Sequence, residues 1–363
     1  MTIERVKVLY TYLAAAMFVF TACNSVEHEV TEVQQKDSYI RISTTVGELE
    51  GIKTRAPFLN EPSAKNKLTA NIFISKTQSD YSTLWNTGKT AAEFTSATGP
   101  GFGTKPEQQV LWPADKTEKL YFIGTSPQNG FSVLSTDNNI LTAKANGCTD
   151  FLYTGAETAH SKQEKTVQLN FKHAQVLCRL YIQAENQQAI DDWGGQLVTA
   201  QVLKVNYQDA TASNNVSIPK ILKLSAKDGK ISLEEDPSDN TFYTFYGINN
   251  EKVQEAFLDT KHGNIAISAD KQSVVGYLML PVGTDALNQL KSLQIQLASK
   301  TFKEVSGEKT PKIAQIDLTT KNAVAGSALN INLKLKKEGT IEFEGVTVTE
   351  WENVQDANGE IGG

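Results

Sequence analysis

Apolar and polar positions alternate with a period of two over most of the chain. In "SYIRISTTV" the alternation puts Ile40, Ile42 and Thr44 on one face, with Tyr39 and Arg41 on the other. "LTANIFIS" repeats it at Leu68, Ala70, Ile72 and Ile74, "LQIQLAS" at Leu293, Ile295 and Leu297, and "LNINLKLK" at Leu329, Ile331, Leu333 and Leu335. Successive side chains of a strand point to opposite faces, so these segments predict half-buried antiparallel strands. In "TIEFEGVTV" the phase shifts at Gly345, which predicts a bulge or turn there. Helical spacing is scarce. "NEKVQEAFLDT", around Val253, Phe257 and Leu258, and "TDALNQLKSL", around Leu287 and Leu290, predict two short helices. Turn-forming clusters such as "STDNN", "KANG", "SAKDGK" and "EEDPSDN" separate the strands. With no helical crossovers to support parallel pairing, the expected fold is all-β, built of packed sandwiches.

The start of the chain departs from this pattern. Arg5 and Lys7 precede an uncharged run from Val8 to Ala22, the layout of a secretory signal, and the run ends at Cys23 after Thr21 and Ala22. Small residues ahead of a cysteine resemble the lipobox of bacterial lipoproteins, where the cysteine thiol is acylated and the signal cut before it. The alternative is a plain signal peptide with an incidental cysteine. Two acyl chains hold a protein on a membrane where one holds it marginally, so a lipidated Cys23 is a durable tether. The polar, acidic stretch behind it reads as a leash. About 340 residues then remain, more than one ordinary core. The expected division is a signal at 1–22, a leash at 23–36, one β-sandwich at 37–185 and a second at 186–363, with the boundary in the polar stretch "QAENQQAIDDWGG".

Charge and chemistry exclude more than they add. The net charge is −6 and no Lys/Arg cluster interleaves with aromatics, so no nucleic-acid partner is expected. No nucleophile elbow, phosphate loop or zincin helix occurs, and "GPGFGTK" lacks the strand and helix that a phosphate cradle needs. No catalytic residue, cofactor or metal is expected. Glu234, Glu235, Asp236 and Asp239 could offer calcium hard oxygens, but their spacing fits a solvated turn better. His173 reads either as a general base or, more simply, as a structural histidine bonded to backbone. Trp85, Trp112 and Trp193 read as sugar platforms or as core. Cys178 shares a face with Val176, Leu180 and Ile182, which suits a buried thiol, while pairing with Cys148 stays open.

Three segments resemble, in order, those of the fimbrillin family of Bacteroidetes: "VLWPADKTEKLYFIGTSP" with its Trp-Pro turn, "VQLNFKHAQVLCRLYIQA" with its Phe-x-His-Ala core, and "AGSALNINLKL" followed by "IEFEGVTVTEW". The resemblance implies a type V pilus subunit, a lipoprotein of two tandem transthyretin-like Greek-key β-sandwich domains at the cell outer membrane and in the fimbrium. It also implies cleavage after an arginine that follows the first strand, here between Arg55 and Ala56, where Pro57 keeps the loop extended. That cut would remove the Tyr39–Val46 strand. The donor strand that completes a neighbour would be the closing one, through Ile341, Phe343, Val346, Val348 and Trp351. The implied partners are other pilin subunits, in a homo- or hetero-polymer, together with host or bacterial surface ligands; stalk, anchor and tip roles stay open. The alternative is a surface glycan-binding lipoprotein of the outer membrane, which would need exposed aromatic platforms.

Overall fold

The computed structural model describes residues 39–46, 68–85, 90–94, 104–106, 110–164, 166–207, 220–239, 241–245, 265–284, 290–302, 310–321 and 323–350. The fold is all-β, in four sheets. The eight-stranded sheet follows the order β1 (Ile42–Val46), β10 (Val167–His173), β8 (Leu152–Tyr153), β5 (Lys119–Ser126), β2 (Leu68–Ser75), β3 (Thr90–Phe94), β4 (Thr104–Pro106), with β9 (Thr158–Ser161) paired to β5. Its strands are two-sided. Ile72, Ile74, Leu120, Phe122, Leu169 and Phe171 face a core of their own, while Phe73, Ile123 and Tyr153 face the larger core. Gly124 makes this packing possible, because a Cβ there would lie 2.6 Å from the Phe171 ring.

The second sheet links segments distant in sequence. Its order is β14 (Ile231–Glu234), β13 (Ile221–Ser225), β7 (Asp137–Lys144), β6 (Ser132–Leu134). The β13–β14 hairpin thus pairs with the β6–β7 hairpin, and Leu222, Leu224 and Ile231 are buried beside Leu141 and Ala143. At the hairpin turn Gly229 has φ 66°, and a Cβ on it would meet the Ala156 nitrogen at 2.3 Å, so only glycine fits.

The third and fourth sheets contribute to the same large core. One has the order β17 (Ser273–Pro281), β11 (Gln175–Ala184), β20 (Ser327–Leu335), β21 (Ile341–Glu350). The other runs β15 (Tyr243–Thr244), β12 (Gln196–Tyr207), β18 (Leu290–Ser299), β19 (Lys312–Asp317), with β16 (Ile265–Ala266) on β12. The large core runs without a break from Phe73 and Phe131 to Leu333 and Val346. The expected division after residue 185 falls between β11 and the helix α1 (Gln187–Asp192), and β11 is paired to β17 and β20, both on the far side of it.

Two expectations need correction. Pairing is not uniformly antiparallel: β1 runs parallel to β10, and β11 parallel to β20. Parallel neighbours need a long connection, and here many intervening strands supply it in place of a helix. The helix expected at "TDALNQLKSL" is also absent from its described part, since Leu290 begins β18. Its register slips between Asn206↔Ser292 and Tyr207↔Leu290, a bulge at the start of the strand. "NEKVQEAFLDT" lies outside the described residues. The α-helix that forms among the described residues, α1, is capped by Asn186, whose side chain accepts from the Ala189 N–H at 3.0 Å.

Leu224→Ala is expected to cost about 3 kcal/mol, by cavity formation in the shared core. Urea unfolding followed by separate labels on β5 and β18 should show the same midpoint shift at both, whereas a shift at one label alone would mean that the halves unfold independently.

Candidate functional site

The two end strands carry the features that assembly would use. β1 closes one end of the eight-stranded sheet, in regular parallel register with β10 from Ile42↔Val167 to Val46↔Phe171. Ile40 and Ile42 are 5% and 6% exposed and Thr44 is fully buried, while Arg41 points to solvent, as the alternation requires. Burying the two isoleucines contributes about 2 kcal/mol each. Ser43 Oγ bonds the side chain of Gln168 on β10.

A second wall holds the start of this strand. Backbone groups of successive residues in an extended strand aim at opposite edges. The Arg41 carbonyl accepts from Val167 N–H on β10, whereas Ile40 N–H donates to the Val110 carbonyl, each at 2.8 Å, and Tyr39 bridges Leu111. The segment 110–112 is therefore a strap on residues 39–40, just ahead of β1, on the edge opposite the one that faces β10. Trp85 secures the strap: its Nε1–H donates to the Leu111 carbonyl at 2.8 Å, and its own N–H donates to the Ile74 carbonyl of β2 at 2.7 Å. Lys76 Nζ sits 4.3 Å over the Trp85 ring and pairs with Glu118 at 2.7 Å. Trp112 packs edge-on against Phe122 at 5.9 Å.

At the other end of the chain, β21 is a sheet edge paired antiparallel to β20. The pairing jumps from Asn332↔Gly345 to Leu333↔Phe343, leaving Glu344 as the extra residue, and Gly345 takes φ 145°. The phase shift read from sequence is thus a bulge. It brings Ile341, Phe343, Val346 and Val348 to one face, packed on the chain's own large core, with Val346 the most buried. On the outer face Glu342 pairs with Lys336 at 2.5 Å and Glu344 with Lys334. The Lys336 ammonium holds the Glu342 carboxyl below its usual range. Pairs this exposed add little stability; they fix β21 to β20 in register.

Cys23, Arg55, Ala56 and Trp351 lie outside the described residues. Sequence holds four arginines, Arg5, Arg41, Arg55 and Arg179; Arg179, on β11, is 8% exposed and its guanidinium donates to Asn330 Oδ1 at 3.4 Å. Trp193 is fully buried, its Nε1–H bonded to the Lys336 carbonyl at 2.9 Å and its ring edge-on to Phe302. It is a core residue with no face for a sugar. His173 is buried, and its Nδ1 lies 2.9 Å from Asp150 Oδ1. In "EEDPSDN" the acidic pair meets a cation from its own chain, Lys144 Nζ lying 3.0 Å from Asp236 and 3.2 Å from Asp239. Cys178 is a fully buried thiol whose ionisation burial pushes up, and no disulfide joins it to Cys148. No group of three or more metal-ligating side chains occurs among the described residues. The strap was not anticipated; its signal was the apolar "VLW" before Pro113, separated in sequence by β2, β3 and β4 from the segment it holds.

The fimbrillin-like family model matches residues 54–351, which takes in both β10 and the whole of β21. The chain belongs to the fimbrillin-like family. Among solved structures it is similar to a candidate cell adhesion protein from Bacteroides uniformis, at TM-score 0.50 and 14% identity, over 87% of this chain and 98% of that one. It is also similar to a candidate cell adhesion protein from Bacteroides ovatus, at TM-score 0.48 and 13% identity over 88% and 99% of the two chains. The fimbrial anchor protein Mfa2 from Porphyromonas gingivalis matches at TM-score 0.40 and 8% identity over 87% and 99%. No curated protein sequence matches this fimbrillin-like chain.

Trp85→Phe keeps the ring and removes the bond to the strap. Losing one such bond costs about 1 kcal/mol, so the Ile40 amide should exchange with deuterium about fivefold faster, with β18 amides unchanged. Equal exchange in both proteins would show that the strap does not depend on Trp85.

Proposed function

We propose that this fimbrillin-like chain is a subunit of a surface fimbria, exported as a lipoprotein through Cys23 and assembled by strand addition after a cut between Arg55 and Ala56. The observation that carries the reading is the place of β1. It is a terminal strand of its sheet, it lies upstream of Arg55, and it contributes Ile40, Ile42 and Thr44 to a core otherwise built by residues downstream. A cut at Arg55 leaves β1 attached by noncovalent contacts alone. Its loss would expose the hydrogen-bonding edge of β10 above Val167, Leu169 and Phe171, an edge that is costly to leave open and that favours a replacement strand. The same cut separates the body from its lipid, so release and activation are one event.

The closing strand, from Ile341 to Trp351, is the proposed donor to a neighbouring subunit. Donation from one end of a chain into the other end of the next does not close on itself and produces a filament. The role is structural, not enzymatic, and the working site is the cell surface and fimbrium, reached by way of the outer membrane. Adhesion to host or bacterial surfaces follows from that placement.

The decisive measurement is the mass of the amino terminus of the chain in filaments sheared from cells. A terminus at Ala56 is expected, and Arg55→Ala should leave the chain membrane-bound, starting at acylated Cys23, and absent from filaments. Filaments built of chains that retain Cys23 to Arg55 would overturn the cleavage step.

A further inference from the structure

The geometry points to a β1 cleft that is filled by a strand from a different kind of subunit, not by the closing strand of a second copy of this chain. The inference rests on the strand-addition reading above and concerns which partner that reading admits. The cleft is bounded by β10 along Ile42–Val46, and its entrance at residues 39–40 is held on the opposite edge by the strap at 110–112. Along β10 the register runs from Ile42↔Val167 to Val46↔Phe171 without a shift. A replacement strand must therefore be regular, placing every second side chain inward. The inward positions are those of Ile40, Ile42 and Thr44, at 5%, 6% and 0% exposure. They call for two branched aliphatics followed by a small residue.

β21 does not meet this demand. Its four apolar residues share a face only because one residue is extruded at the bulge against β20. Laid along a partner without a bulge, the strand presents Ile341, Phe343, Gly345, Thr347 and Thr349 on one face. The other face then shows Glu342, Glu344, Val346, Val348 and Glu350. Within Ile341–Glu350, every window of three successive inward positions contains either Gly345 or a glutamate, whichever way the strand runs. Gly345 leaves a pocket empty and is conformationally costly in a strand. A glutamate in the place of Ile40, Ile42 or Thr44 buries an unpaired carboxylate. The register that matches best, Val346 and Val348 in the isoleucine pockets, sets Glu350 where Thr44 is fully buried. A one-residue slip exchanges the faces and cannot rescue both ends at once. The favoured filler is a foreign segment of the form aliphatic-x-aliphatic-x-Thr, and β21 serves an acceptor of another kind.

The test uses the full chain carrying Arg41→Lys, cut after Arg55 with an arginine-specific protease that is then inhibited, and fluorescent peptides in excess over the retained fragment. One peptide carries residues 39–46, a second residues 340–350, and a third the same residues with Phe343→Ile and Gly345→Thr, which sets Ile, Ile and Thr at alternate positions. The first peptide should bind, the second at least tenfold more weakly, and the third within about threefold of the first; the cut chain alone should form no filaments by electron microscopy. Equal binding of the first two peptides, or filaments from the cut chain alone, would overturn the inference and leave strand addition standing. Binding of none of the three would remove strand addition itself, and the inference with it.

Discussion

The structure depends on the hydrogen bonding of one buried strand, β11. Nearly every side chain on it is inaccessible, so none of its backbone groups can turn to water, and each needs a partner from the chain. Those partners are β17 on one edge and β20 on the other, the latter centred on the Arg179 and Asn330 pair, 151 residues apart. A strand with that requirement cannot be satisfied locally. The chain downstream of it must return twice before the sheet is complete, and β21 then joins at the outside. In such a topology loop closure precedes the contacts that reward it.

The same dependence ties the two halves together. The sheet made of the β6–β7 and β13–β14 hairpins is a mutual completion: neither hairpin has a partner in its own neighbourhood of sequence, and each covers the other's edge. Buried polar groups at the crossing, the His173 and Asp150 pair and the Gln175 side chain that accepts from the Phe151 N–H at 2.9 Å, fix how the chain passes from one sheet to the next. Against this stiff body the two ends differ in kind. β1 is regular and lies along β10, with the residues just ahead of it held by the strap; β21 is bulged, charged on its outer face and paired to β20. An edge with a bulge and paired charges resists casual addition of another strand.

Much of this was legible from residue alternation. Ile40, Ile42 and Thr44, Leu68 to Ile74, and Leu329 to Leu335 lie on the faces that their spacing gave them, and the phase shift at Gly345 marked the bulge. What alternation does not carry is which strand lies beside which. The parallel pairings of β1 with β10 and of β11 with β20 join segments with no local signal of each other, and the strap on β1 comes from a third place again. Spacing also misled at Leu290, which its spacing from Leu287 set on a helix and which begins β18, and it was silent on Lys144, whose position between Asp236 and Asp239 depends on how β7 meets β13. The Trp193 reading as core was settled by burial that no local pattern encodes. The short helix after Asn186 had its capping residue in view, but it stood in a polar stretch where no apolar stripe drew attention to it.

Arginine is scarce in this chain and lysine carries nearly all its positive charge. Downstream of Arg55 the sole arginine is Arg179, shielded within β11 and bonded to Asn330. An arginine-directed enzyme that trimmed the chain at Arg55 would afterwards meet a body offering it no accessible bond. The product would endure indefinitely beside the very catalyst that matured it.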